Sequence, residues 1–70
     1  MIRIVRRRMI INMKDGSAFS CLLWRRGWRL LQLRDVTLFA EGQTRPVDGE
    51  VVIERRDVAF MQVTAIREPM

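Results

Sequence analysis

Histidine is absent from this chain, and Cys21 is its only cysteine. The first absence removes the side chain that most often serves as a general base or metal ligand near neutral pH. The second rules out a disulfide within the chain. Together they exclude the usual four-ligand structural zinc site. Cys21 has no imidazole to activate it as a nucleophile, which leaves it the ordinary role of a small core residue. No apolar run approaches the roughly 18–20 residues that a membrane helix needs. The opening stretch MIRIVRRRMIINM has no uninterrupted apolar region ahead of a small-residue cleavage site, so it does not read as a signal peptide. A reducing, cytoplasmic setting is expected.

What is present is enough for one small domain. Seventy residues is close to the size at which folding buries only about 60% of the unfolded chain's surface. Such a core rarely supplies more than about 3–5 kcal/mol unaided. With disulfide and zinc both excluded, self-association is the remaining ordinary source of stability, so a homo-oligomer or a component of a larger protein assembly is expected. The composition, 49% hydrophobic and 30% charged, is that of a folded chain rather than a disordered one. The formal net charge is +5, and twelve of the thirteen basic residues are arginine. A basic surface attracts nucleic acid, anionic lipid and acidic protein alike, or is simply solvated. No membrane partner and no small-molecule substrate is indicated.

The pattern is β from end to end. Met9–Met13 is apolar apart from Asn12, and Lys14-Asp15-Gly16 follows it. Asp-Gly between apolar runs predicts a hairpin with a type I′ turn, whose two central residues need positive φ. SAFSCLLW, residues 17–24, then alternates. Phe19, Cys21 and Leu23 share the face better suited to the core, and Ala18, Ser20, Leu22 and Trp24 share the other. Gly27 inside RRGW predicts a second tight hairpin. WRLLQL resumes as a strand, and RDVTLF continues it or bends into the next, with a bulge or turn at Asp35. Residues 41–49, EGQTRPVDG, read as a loop; EVVIE as a short strand; RRD as a tight turn; VAFMQV as the last strand. No helical periodicity is sustained. The expected fold is all-β, a five-stranded, strongly bent SH3-like or Sm-like barrel with little or no helix. Residues 1–8 form a basic N-terminal arm or an edge strand, 9–66 the barrel, and 67–70 a C-terminal tail.

The order of these signals resembles the Sm-like family over Met9 to Val63. Lys14-Asp15-Gly16 and Leu33-Arg34-Asp35-Val36 match its first motif, and Ile53, Val58 and Phe60 match the apolar frame of its second. The resemblance implies a small barrel whose subunits join edge to edge into rings. It does not extend to the RNA-contacting residues. Leu30 stands at the asparagine position, Glu54 and Arg55 stand at the Arg-Gly positions, and Cys21 replaces the usual glycine of the bent second strand. A weaker likeness, in the phrases KDGSAF…LW and PVDGEVV, is to short uncharacterised proteins of actinobacteriophages. It implies a structural role, such as a minor capsid or head-associated protein, placed in the host cytoplasm or the virion.

Three groups of residues are candidates for contact. Arg25, Arg26, Trp28 and Arg29 could clamp phosphates and stack a base, since arginine offers forked donors and indole a stacking face. The bland alternative makes Trp24 and Trp28 a cross-strand pair beside solvated turn arginines. Arg6, Arg7 and Arg8 could be a phosphate-binding arm or a soluble tail. Val51, Val52 and Ile53, with Phe60, are candidates for an oligomer edge or for burial within the chain. Asp48 and Glu50 flank Gly49 as loop charges, with no cleft to make them an acid–base pair. No cofactor, metal or catalytic residue is implied. The expected function is a non-enzymatic oligomeric structural or assembly module, with the virion as one setting for it. The alternative is an Sm-like ring that binds RNA or single-stranded DNA through the Arg/Trp hairpin.

Overall fold

The computed structural model describes residues 3–64, with side chains from Arg6 onward. The expected tail at 67–70 lies outside the described residues. Among the described residues six strands form one antiparallel sheet: β1 (Arg3–Met13), β2 (Ala18–Arg26), β3 (Leu30–Ala40), β4 (Gln43–Val47), β5 (Val51–Glu54) and β6 (Val58–Val63). The sheet order is β4-β3-β2-β1-β6, with β5 also on β3, beyond the end of β4. A 3-10 turn, Arg55–Asp57, stands where RRD predicts a tight turn.

The first hairpin departs from the expected type I′ geometry. Gly16 has φ 96°, while Asp15 is not in the positive-φ region. The amide of Gly16 donates to Met13 O at 3.1 Å and that of Met13 to Ser17 O at 2.8 Å. That is a three-residue loop closed by a left-handed glycine. Asp15 replaces the strain of a second positive φ with hydrogen bonds: its Oδ1 accepts from the Ser17 amide and hydroxyl. Those bonds favour the ionised carboxylate and hold its pKa below the usual range, the hydroxyl contributing most.

The expected loop at 41–49 is the largest correction. Glu41 (φ 53°) and Gly42 (φ 75°) are both left-handed and form a two-residue turn. Residues 43–47 then pair with β3 from Ala40↔Gln43 to Val36↔Val47. Pro46 is tolerated because β4 lies at the sheet edge, where no donor is required of it. The expected fourth strand is thus β5, and β4 is a sixth strand formed from the segment expected as a loop. β4 takes the C-terminal half of β3, and β5 takes the N-terminal half, Leu30↔Glu54 to Leu33↔Val51.

The interior is small. Met9, Ile11, Cys21, Leu23, Leu31, Leu33 and Val36 are buried, with Phe19, Val51, Ile53 and Met61 packed against them. The predicted inward set of β2 is therefore the observed one. Asp35 is the predicted bulge: Ser20 pairs with Thr37 and Leu22 with Arg34, so Asp35 and Val36 together face Cys21. Asp35 sits at φ 52°, a conformation that aspartate accepts more readily than most residues. The extra residue bends β3 and turns Val36 inward. The sheet is not closed into a barrel. Among the described residues β6 pairs with β1, β4 and β5 pair with β3, and no ladder joins β6 to either of them.

Candidate functional site

The second hairpin gathers most of the candidate contact residues. Arg25 and Arg26 end β2, and Gly27, Trp28 and Arg29 make the connection. The Gly27 amide donates to Leu30 O at 2.9 Å, closing the turn. The Arg55 amide donates to Arg29 O at 2.7 Å, which fastens the 3-10 turn against the hairpin. Trp28, held at the tip, is 82% exposed.

Two clefts flank Trp28. The larger is an open groove of about 450 Å³, lined by Trp28, Leu30 and Val52 with Arg25, Arg29 and Gln32 around them. Register explains the lining. Gln32 pairs with Val52 on one side and Arg25 on the other, so all three lie on the face opposite the buried Leu31 and Leu33. The smaller cleft, about 270 Å³, is formed by Trp28, Arg29, Glu54, Arg55 and Arg56. Glu54 there faces Arg29 at 3.7 Å and Arg56 at 3.3 Å. Among the described residues no carboxylate lies within 4 Å of Arg25, Arg26 or Arg55. The hairpin therefore keeps excess positive charge.

Trp24 does not pair with Trp28. The β2–β3 register passes from Leu23↔Leu33 to Arg25↔Gln32 and leaves Trp24 as an extra residue. The β1–β2 register slips at the same level, between Ile4 and Arg7, and Arg6 adopts φ 54° there. These coincident irregularities put the guanidinium of Arg6 4.6 Å from the Trp24 ring centroid and that of Arg34 4.0 Å from it. Arg34 also donates from Nε to Glu50 at 2.6 Å, and Gln32 donates to the other Glu50 oxygen. Hydrogen bonds from Arg34 first and Gln32 second pull the Glu50 pKa below its ordinary value. The indole face of Trp24 is thus engaged within the chain.

The other candidates are dispersed. Arg6, Arg7 and Arg8 belong to β1 and are exposed; Arg8 faces Asp35 at 3.7 Å. Val51 and Ile53 pack on the core, Val52 is 56% exposed in the groove, and Phe60 is 58% exposed on β6. Sequence reading does not reach Arg34, Gln32, Glu50 and Leu30 as parts of this surface. Counting outward from the turn pairs Gln32 with Arg25, but the extra residue at Trp24 shifts the count by one from Leu33 onward, which conceals Arg34. Glu50 comes from a distant part of the chain. Cys21 is fully buried, and loss of solvation pushes its thiol up to about 11, slightly countered by Arg8. It is therefore a neutral packing group at physiological pH. No group of three His, Cys, Asp or Glu side chains among the described residues is placed to hold a metal.

No protein-family model, curated protein or solved structure gives a significant match to this chain. The likeness to the Sm-like family rests on the quoted motifs alone.

Proposed function

We propose that this chain is a non-enzymatic assembly module of Sm-like type that joins its neighbours by strand edges. The observation that carries the reading is an open sheet with, among the described residues, an unpaired apolar edge at each end. On one side is β6, with Phe60 and Val63 58% and 51% exposed. On the other is β5, whose core-facing Val51 and Ile53 leave the backbone edge unpaired among the described residues. Unpaired edges are templates for strand addition unless something blunts them. β4 is blunted by Pro46 and Arg45, while β5 and β6 have no proline. Pairing β5 of one subunit with β6 of the next closes each sheet through its neighbour. It also adds the burial that the small core of the described residues lacks. The connectivity supports the small-barrel class: β6 returns to β1, and the Lys14 amide donates to Asp57 O at 2.8 Å, folding the 3-10 turn over the first hairpin. The phage-protein likeness agrees with a place in a virion, as a minor capsid or head-associated component.

Size-exclusion chromatography with light scattering tests the proposal. The expected mass is a multiple of 8.3 kDa, and Phe60→Glu is expected to lower it toward the monomer while the circular dichroism stays β-type. A wild-type protein that is monomeric at all accessible concentrations would refute it.

A further inference from the structure

We infer that the β2–β3 hairpin is a receptor for an acidic peptide segment bearing a large apolar side chain. The site goes beyond edge assembly, because it uses the outward face of the sheet and not the backbone of β5 or β6.

Trp28 divides two clefts of different chemistry. On one side Leu30 and Val52 make an apolar floor inside an open groove of about 450 Å³. That volume falls in the range of small-ligand pockets and takes a phenylalanine or leucine side chain with room for its backbone. On the other side Arg29, Arg55 and Arg56 surround the single carboxylate of Glu54. Arg25 stands in the wall of the groove, without a carboxylate within 4 Å among the described residues. An apolar floor beside surplus guanidinium charge matches an apolar anchor next to acidic residues. Trp28, 82% exposed on a turn tied by two backbone hydrogen bonds, has the character of an interface hot spot, being large, aromatic and held in place.

A nucleic-acid strand fits the same surface less well. The second tryptophan, Trp24, already carries the guanidinium groups of Arg6 and Arg34 against its ring. Gln32, the uncharged hydrogen-bonding side chain of the groove, is engaged by Glu50. Glu50 and Glu54 interrupt the cationic surface, which opposes a uniformly charged backbone but can be passed by separate carboxylates.

The test is fluorescence anisotropy with a fluorescein-labelled peptide, Asp-Glu-Glu-Phe-Leu-Glu-Asp, titrated with the full chain. Three comparisons accompany it: the same peptide with Ser-Ser replacing Phe-Leu, a labelled oligothymidine, and the protein variants Trp28→Ala and Arg25→Glu. The apolar peptide is expected to bind, and each variant to weaken binding by about tenfold, the scale of a hot-spot truncation. Because both side chains are exposed, the variants keep the wild-type circular dichroism. The inference is overturned by equal binding of the Ser-Ser peptide, by tighter oligothymidine binding that also needs Trp28, or by no peptide binding at about 1 mM. Phe60→Glu separates this site from edge assembly: it breaks the oligomer proposed above and leaves peptide affinity unchanged.

Discussion

Leu30 and Leu31 are adjacent on β3, and the register places them on opposite faces. Leu31 is fully buried opposite Ile53 and Arg26, while Leu30 is 49% exposed beside Trp28. Replacing each by alanine removes the same atoms from two environments. For Leu31 the loss combines transfer free energy with a cavity, about 2–5 kcal/mol. A domain of this size holds only about 3–5 kcal/mol from its core. Leu31→Ala is therefore expected to lie at or past the edge of folding. Leu30→Ala, on the half-open face, is expected to cost about 0.5 kcal/mol or less, as ordinary surface changes do. At about 4–8 °C per kcal/mol for small domains, the first substitution lowers the melting temperature by at least about 8 °C and the second by at most about 4 °C. Thermal and urea melts at matched protein concentration read both, the matching being needed because association raises apparent stability. Equal losses for the two variants would refute the assigned register, since a one-residue slip exchanges the faces of every side chain on the strand.

Three further outcomes follow from the same structure. Cys21 is expected to resist Ellman's reagent in the native protein and to react when urea unfolds it. Because its folded pKa is raised from 9.0 to about 11, its contribution to stability is complete below pH 9 and is lost as the pH rises toward 11. The loss is at most about 2–3 kcal/mol, and a Cys21→Ala variant that keeps the same alkaline decline would show another group to be responsible. At the acid end Asp15 and Glu50, both with lowered pKa values, contribute above the ordinary carboxylate range. That contribution disappears as the pH falls through their lowered values, and Glu50→Gln should flatten part of the acid limb in a pH series of melts. Asp35→Val is expected to cost about 1–3 kcal/mol because a β-branched residue is strained at φ 52°. Asp35→Asn should cost little beyond the ion pair with Arg8, and equal melting temperatures for the two variants would mean that the bulge is not left-handed.

Several features of this fold are written in short stretches of chain. The Lys14-Asp15-Gly16 hairpin, the inward set Phe19, Cys21 and Leu23, the Asp35 bulge and the Arg55–Asp57 turn each depend on a few consecutive residues, so local reading reaches them. The type of the first turn escapes such reading because Asp-Gly suits two loop geometries, and hydrogen bonds to Ser17 select the one with a single positive φ.

What lies beyond the sequence depends on which strand becomes a neighbour of which. Residues 43–47 are polar and contain a proline, and they form a strand because the C-terminal half of β3 presents an edge that they can pair. Trp24 does not take its expected cross-strand role because slips in two separate ladders bring Arg6 and Arg34 over its ring. The groove beside Trp28 needs Val52 delivered from β5, a distant part of the chain. Alternation and turn chemistry act over a few bonds and are fixed by the order of residues. Register and the meeting of distant side chains are settled only when the whole sheet assembles, because a one-residue shift in one ladder is stable or unstable according to every ladder beside it.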